Sequence, residues 1–311
     1  MSETAKILHS IVTNVERVIM GKRDAVELAV CALVCRGHVL IEDVPGVGKT
    51  SLVHAIARSL ECSFKRIQFT PDILPSDITG FSMFNQKSGE FEYRQGAIMA
   101  QVVLADEINR TSPKTQSSLL EAMEEGQVTV DGHTYALPQP FMVFATQNPV
   151  EYLGTYPLPE AQLDRFFLRI SLGYPKAVDE AHMLGRFRER SPLKSLEAVA
   201  GAADLEKAQN EAEGIHVDES INEYIVALVR HTRNNPNVLL GASPRASLCL
   251  YRAAQAWAFY NGREYAVPDD VVRMAAPVLQ HRLVLKQDAR LKKSTPADAI
   301  NDAVSSVHVP V

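Results

Sequence analysis

The stretch that decides the fold is His38–Thr50, which reads HVLIEDVPGVGKT. Its first residues, His38–Ile41, form a short apolar run that is typical of a buried strand, and Lys49–Leu60 continues as a helix. A turn with Gly46 and Gly48 lies between them. The order of strand, glycine-rich turn and helix is the context of a phosphate-binding loop, in which backbone N–H groups at a helix N-terminus surround phosphate oxygens.

Two side chains of this loop carry specific chemistry. Lys49 supplies a positive charge for the β- and γ-phosphates of a nucleotide, and Thr50 offers a hydroxyl to Mg²⁺. Asp43 stands where the motif usually has its first glycine, so the match is not strict. The alternative is a capped strand-to-helix turn with an exposed lysine. The residues expected to bind the nucleotide are Pro45, Gly46, Val47, Gly48, Lys49, Thr50 and Ser51.

A second buried strand ends in two acidic residues. Val102–Ala105 is continuously apolar and is followed directly by Asp106 and Glu107. Adjacent buried carboxylates are costly without cationic or polar partners, and ligands of open α/β sheets bind at the carboxyl ends of strands. We therefore expect Asp106 to hold hydrated Mg²⁺ and Glu107 to polarise the attacking water. The alternative is that the pair only begins a loop near a helix N-terminus.

Strands and helices alternate from His38 to Leu172, which predicts a mostly parallel α/β sheet. One of these strands, Phe141–Thr146, is followed by Asn148, which either orients the water or forms an Asx turn. After Pro175 the pattern is helical only, so the sequence predicts an α/β nucleotide-binding domain over 1–188 and a smaller all-helical domain over 189–311.

Composition limits the other possibilities. The net charge of −5 and pI near 6.0 give no general electrostatic reason to expect nucleic acid as the main ligand. Four cysteines suggest no disulfide framework, and Cys31 and Cys35 read as small core residues on a buried helix. The longest apolar run, Ala29–Cys35, is too short to cross a bilayer, and no signal peptide is visible. These features predict a cytoplasmic protein without membrane insertion.

With these residues in hand, the sequence resembles the AAA+ superfamily and most closely its MoxR family. The stretches that carry the resemblance occur in the family's order and cover most of the chain. They are Glu42–Thr50 (EDVPGVGKT), Ala105–Arg110 (ADEINR), Ala145–Pro149 (ATQNP), Leu158–Phe166 (LPEAQLDRF) and Gly241–Ala246 (GASPRA). The resemblance implies a P-loop AAA+ core with a parallel central sheet, followed by a smaller all-helical lid domain.

The resemblance also implies roles for three residues. Asn148 matches the sensor 1 residue, Arg165 the arginine finger that reaches the neighbouring subunit's nucleotide, and Arg245 the sensor 2 arginine on the lid. An ion pair with Glu160 or Asp164 is the alternative for Arg165. Arg245 lies in the first turn of a predicted helix, where the helix dipole disfavours a cation, so a phosphate ligand explains it better than helix stability does.

The activity that the resemblance implies is Mg²⁺-dependent ATP hydrolysis at subunit interfaces of a homo-oligomer, typically a hexameric ring. Such proteins act as chaperone-like motors that remodel or mature client proteins, commonly with von Willebrand factor A domain proteins. Two inserted segments, Gly89–Met99 and the hairpin Val128–Ala136, are expected to face the pore or a partner. A nucleic-acid-remodelling motor is the alternative, because helicases belong to the same branch. The acidic balance and the lack of a Lys/Arg run argue against it.

Overall fold

The structure is a computed structural model that describes residues 2–149, 154–186 and 192–310. Its first part alternates helices with strands, as the sequence predicts. In chain order the elements are α1 (Glu3–Glu16), α2 (Arg23–Val34), β1 (Val39–Glu42), α3 (Lys49–Ser59), β2 (Phe64–Gln68), α4 (Pro75–Thr79), β3 (Gly80–Asn85), β4 (Glu90–Gln95), β5 (Val102–Asp106), α5 (Pro113–Glu125), β6 (Gln127–Val130), β7 (His133–Ala136), β8 (Met142–Gln147), α6 (Glu160–Leu163) and β9 (Leu168–Ile170).

The second part is the helical domain. Helix α7 (Ala177–Arg186) precedes the boundary expected at 188/189. The helical domain itself contains α8 (Ala202–Glu213), α9 (Glu219–Asn234), β10 (Val238–Leu240), α10 (Pro244–Tyr260), α11 (Pro268–Leu279), β11 (Val284–Leu285), α12 (Gln287–Leu291) and α13 (Pro296–Ser306). Strands β10 and β11 pair antiparallel, so this domain holds a small two-stranded sheet as well as helices. Strands of three and two residues are too short to show an alternating pattern. The boundary expected at 188/189 lies outside the described residues.

Five parallel strands form the central sheet in the order β2-β5-β8-β1-β9. Their register is fixed by pairs such as Val39↔Phe144 between β1 and β8. Val102↔Met142 pairs β5 with β8 in the same way. Because β1, β5 and β8 are neighbours and run in the same direction, the loops that follow them meet at one edge of the sheet. We call this the carboxyl edge, and the opposite one the amino edge.

Successive residues of each strand face opposite sides of the sheet and enter different cores. On β5, Val102 and Leu104 pack with α1, α2, α3 and the helical domain, in one continuous cluster. Val103 and Ala105 belong to the other cluster, which includes residues of α4 and α5. Since the amino-terminal helices and the helical domain share one core, the two parts of the chain are packed together rather than only linked.

Two hairpins project from the α/β part. One pairs β3 with β4, and the other pairs β6 with β7 through the turn Asp131-Gly132. Both turn residues have positive φ, at 50° and 80°, as the predicted type I′ turn requires. The rings of Tyr93 and Tyr135 stack with centroids 3.9 Å apart, so one hairpin rests on the other. In the described part of the chain, no helix is both long and apolar enough to cross a bilayer.

The join between α2 and β1 is closely packed. A Cβ atom built on Gly37 would lie 2.4 Å from both Cβ and Cγ of Phe167, which precedes β9. Gly37 also donates its N–H to the carbonyl of Ala32 at 2.8 Å, which closes the end of α2. The glycine is therefore needed because the Phe167 ring lies against the backbone.

We predict that Gly37→Ala lowers the free energy of unfolding by about 1–3 kcal/mol, the usual cost of overpacking. Urea unfolding followed by circular dichroism measures it. Gly201→Ala is the matched control, because the nearest atom to its new methyl group is Asp204 Oδ2 at 3.8 Å. An equal midpoint for Gly37→Ala and the wild type would contradict this packing.

Candidate functional site

The phosphate loop follows β1 at the carboxyl edge. Gly46 has a φ of 83° and Gly48 a φ of 95°, both in the left-handed region that favours glycine. Gly48 is the N-cap of α3, so the helix begins at Lys49 and its first N–H groups face the loop. Pro45 and Gly46 are exposed, while Val47 through Ser51 are half-buried. This arrangement leaves the backbone donors of the loop open to an anion.

Lys49 bends back over the loop. Its Nζ donates to the carbonyl oxygens of Asp43 at 2.7 Å and Val44 at 3.1 Å. Burial lowers the pKa of Lys49, while the carboxylates of Asp43, Asp106 and Glu107 act in the opposite direction. The lysine charge therefore lies within electrostatic reach of both acidic residues that end β5.

Asp43, the residue that departs from the glycine pattern, has a structural role. It is 6% exposed, and its Oδ2 accepts hydrogen bonds from the N–H groups of Leu172 at 2.6 Å and Gly173 at 2.7 Å. The Ser171 hydroxyl donates to the same oxygen at 3.1 Å. The carboxylate thus ties the start of the phosphate loop to the chain leaving β9. A glycine would leave these backbone donors without that partner.

Asp106 is the last residue of β5 and is 8% exposed. Its Oδ1 accepts from the Thr146 hydroxyl at 2.6 Å. Its Oδ2 accepts from Arg66 on β2, with Nη2 at 2.6 Å and Nε at 3.1 Å. The buried carboxylate therefore bonds to both a neutral donor and a cation. These partners offset the free-energy cost of burying an acidic side chain.

Glu107 adopts an unusual backbone conformation. Its φ of 57° and ψ of 50° are left-handed, which costs a non-glycine residue about 1–2 kcal/mol. Its N–H donates to the Thr146 hydroxyl at 2.9 Å. Its Oε2 accepts from Gln68 Nε2 at 3.0 Å and Arg110 Nη1 at 3.1 Å. These two donors hold the carboxylate at the carboxyl edge.

Asn148 completes this group of side chains. It is 7% exposed and follows β8, two residues after Thr146. Since β8 lies between β5 and β1 in the sheet, Asn148 stands between the acidic pair and the phosphate loop. Of the predicted site residues, the structure brings together the loop with Lys49, Thr50 and Ser51, the pair Asp106 and Glu107, and Asn148.

The two remaining predicted residues lie elsewhere. Arg165 Nε is 3.1 Å from Glu124 Oε2, and Arg245 Nη1 is 3.0 Å from Glu124 Oε1. Glu124 follows Met123, whose carbonyl bonds to His38 Nε2 at 3.0 Å, and His38 precedes β1. The two arginines are therefore at the amino edge. The four residues of β1, about 13 Å long at ~3.3 Å per residue, separate this edge from the chain's own phosphate loop.

The alternative prediction for Arg165, an ion pair with Glu160 or Asp164, named the wrong partner. Asp164 bonds to Arg282 instead, at 2.7 Å, and Arg165 pairs with Glu124.

Sequence reasoning also missed Arg66, Gln68 and Thr146, which hold the two acidic residues. The sequence shows only that these polar residues lie on predicted strands. Which of those strands neighbour β5, and so bring a side chain to Asp106, depends on the order of strands in the sheet.

Thr146 joins both acidic residues, which gives a direct test. It is 1% exposed, donates to Asp106 and accepts from the Glu107 N–H. We predict that Thr146→Val, which keeps the shape but removes the hydroxyl, lowers the free energy of unfolding by about 1–3 kcal/mol, because two buried groups lose a partner. Urea unfolding measures the change. Thr146→Ser retains the hydroxyl and should recover most of it; equal losses in the two variants would refute the hydrogen-bonding role.

Comparisons with known proteins agree with this geometry. Residues 38–168 match the ATPase family associated with various cellular activities (AAA), and residues 230–303 match the AAA lid domain. The chain is 53% identical over 305 residues to YeaC of Bacillus subtilis, covering 98% of this chain and 95% of that protein. It is 41% identical over 312 residues to the chaperone MoxR1 of Mycobacterium tuberculosis, covering 97% and 82% respectively.

Two further similarities extend the comparison. MoxR of Paracoccus denitrificans is 30% identical over 319 residues, covering 94% of this chain and 93% of that protein. The crystal structure of a candidate ATPase from Cytophaga hutchinsonii superposes with a TM-score of 0.92 at 36% identity, covering 99% of this chain and 96% of that one. The expected fold, an α/β AAA+ core with a parallel sheet followed by a helical lid, is confirmed. The chain is an ATP hydrolase and belongs to the MoxR family of AAA+ ATPases.

Proposed function

We propose that this protein hydrolyses ATP at sites shared between neighbouring subunits of a ring, a hexamer in the family pattern, and uses the reaction to remodel client proteins. One observation carries the proposal. The nucleotide-binding groups lie at the carboxyl edge, whereas Arg165 and Arg245 lie together at the amino edge. A head-to-tail ring places the amino edge of one subunit against the carboxyl edge of the next. Each site then receives the arginines that its own chain holds elsewhere.

Within one subunit, binding and water activation fall to different groups. The N–H groups of Val47 through Ser51 surround the phosphates, and Lys49 leaves its loop carbonyls to contact the β- and γ-phosphates. Glu107, fixed by the left-handed turn, accepts a proton from the attacking water, and Asn148 orients that water. The Gln68 and Arg110 contacts to Glu107 set where the carboxylate lies before the nucleotide is bound.

The site also fits Mg²⁺. Thr50 offers a hydroxyl and Asp106 a carboxylate, and such oxygen donors suit a cation that is held by one or two protein groups together with substrate phosphates. The chemistry that Mg²⁺ supplies when bound is neutralisation of charge on the β- and γ-phosphates. Arg66 pairs with Asp106 at 2.6 Å and holds this carboxylate in place at the carboxyl edge.

At the amino edge, Glu124 holds both arginines until a neighbour's nucleotide competes for them. A triphosphate carries more negative charge than one carboxylate, so the exchange favours the nucleotide. Arg165 then neutralises transition-state charge as an arginine finger, and Arg245 on α10 binds the same phosphates from the lid. Arg245 accordingly acts in the neighbouring subunit's site.

The client is proposed to be a protein, handled in the cytoplasm, with a von Willebrand factor A domain protein as the co-acting partner. The chaperone name of the 41% identical relative supports this reading. The β3–β4 hairpin exposes an apolar surface, with Phe84 50% and Phe91 74% exposed and their rings 5.4 Å apart. An exposed aromatic pair suits apolar protein segments, and the net charge of −5 does not suit nucleic acid.

We predict that Arg165→Ala lowers kcat for ATP hydrolysis by about 10³-fold or more, the range for an arginine finger, while the protein still binds nucleotide. Steady-state hydrolysis and binding of a fluorescent ATP analogue measure the two effects. Lys207→Ala is the surface control, because the Lys207 side chain on α8 is 64% exposed and lies 4.0 Å from Glu211. Near-normal kcat in Arg165→Ala would remove this residue from the mechanism and favour self-sufficient subunits.

We also predict that Glu107→Gln abolishes turnover but retains nucleotide binding, since the amide keeps hydrogen bonds but cannot accept the proton. Retained turnover would instead assign the base to another group. The same assay and binding measurement decide between these results.

A further inference from the structure

Three consecutive residues of the lid hold the chain segment that carries Arg165. The short 3₁₀ turn Gln280–Arg282 follows α11 and lies against residues 164–169. Arg282 Nη1 donates to the Phe167 carbonyl at 3.1 Å, and Nη2 donates to the carbonyls of Phe166 at 2.6 Å and Asp164 at 3.1 Å. Its Nη1 also donates to the Val278 carbonyl within the lid. The backbone on both sides of Arg165 is thus bonded to one lid guanidinium.

The neighbours of Arg282 add to this contact. His281 Nε2 lies 3.1 Å from the Phe166 carbonyl oxygen, and Gln280 Nε2 donates to the Arg169 carbonyl at 3.4 Å. Strand β9 begins at Leu168 and pairs with β1, so these contacts lie where the chain enters the sheet. The segment that holds Arg165 is therefore anchored to the sheet at one end and to the lid along its length.

Arg282 is buried and its charge is compensated within the same group. Its side chain is 1% exposed, and Nε donates to Asp164 Oδ1 at 2.7 Å. The other oxygen of Asp164 accepts from the Ser243 hydroxyl at 2.8 Å. Ser243 is the N-cap of α10, the helix whose second residue is Arg245. One carboxylate beside Arg165 therefore connects Arg282 with the helix end that carries the second arginine.

An apolar residue would often serve stability as well as a buried ion pair does. What the guanidinium adds is a planar set of donors in fixed directions, which determines where the bonded carbonyls lie. Here those carbonyls belong to the residues around Arg165. The bonds thus fix the position of the arginine's backbone relative to the lid, beyond holding two parts of the chain together.

We propose that Arg282 is a positioning residue that makes the Asp164–Phe167 segment follow the lid, so that the lid sets how far Arg165 reaches into the neighbour's site. The inference rests on the proposed role of Arg165 and adds the means by which its position is controlled. Arg282 touches no nucleotide; it acts through the backbone of the segment and through Asp164. Arg165 and Arg245 then approach the neighbouring nucleotide together, because Asp164 and Ser243 join their supports.

The first test compares Arg282→Met with Arg263→Met. Arg263, a half-buried lid arginine, pairs with Asp270 at 2.5 Å and donates to the Tyr265 carbonyl, so these contacts stay within the lid. We expect Arg282→Met to lower kcat by about 10²-fold, as for a misplaced catalytic group, while KM for ATP stays near the wild-type value. Arg263→Met should retain kcat. Unchanged kcat in Arg282→Met, or an equal loss in both variants, overturns the inference.

A mixing experiment separates positioning from general damage. Full-length Arg282→Met subunits are mixed with Glu107→Gln subunits, which lack turnover but keep Arg165 and Arg282. In mixed rings, an intact catalytic site of the Arg282→Met subunit meets a correctly held Arg165 of its neighbour, so activity should exceed the sum of the separate variants. Damage to the Arg282→Met subunit's own site would give no recovery, and this result would overturn the proposal.

The pair Arg165→Ala with Glu107→Gln is the reference for the shared site itself. If activity recovers with Arg165→Ala but not with Arg282→Met, the positioning role of Arg282 is contradicted and the shared site is supported. If neither mixture recovers, the proposed function fails first. Where Arg282→Met loses its cooperative melt, Asp164→Asn replaces it, because that change weakens the same contact from the other side and is expected to behave alike in the mixture.

Discussion

The direction of five parallel strands is the constraint on which the rest of this structure depends. The strands β1, β5 and β8 are adjacent and parallel. The phosphate loop, the acidic pair and Asn148 therefore meet at one edge although they are far apart in the sequence. The same polarity sends the start of β9, and with it Arg165, to the opposite edge. In the proposed ring, each catalytic site takes its groups from the carboxyl edge of one subunit and the amino edge of the next.

Two kinds of polar interaction maintain this division. At the carboxyl edge, Thr146 and Arg66 support the acidic residues, and Asp43 binds the chain leaving β9. At the amino edge, Glu124 and the Arg282–Asp164 group organise the arginines. Through Arg282 and Ser243, the lid contacts Asp164 at the second edge. In the proposed ring, movement of the lid would shift the arginines that serve the neighbour, and one subunit's state would thereby affect the next subunit's rate.

The sequence predicted the local elements of the site well because glycine-rich turns, apolar strands and buried carboxylates have strong physical signatures. The loop at Gly46 and Gly48 and the turn at Asp131-Gly132 need positive φ. Glycine adopts positive φ readily, so its positions in the sequence indicate where such turns form. The partners of these residues were not predictable, since Glu124 meets Arg245 across 121 positions and Arg282 meets Asp164 across 118. The two-stranded sheet of the lid was not predicted, because its strands are too short to show an alternating pattern.

The most direct test of the shared site is the specific activity of the wild-type protein in ATP hydrolysis, measured across a dilution series whose oligomeric state is followed by mass photometry. We expect activity per subunit to fall with the fraction of assembled rings, and separated monomers to bind nucleotide but hydrolyse it very slowly. Constant activity per subunit from rings down to monomers would contradict it, because each chain would then complete its own site without the arginines of a neighbour.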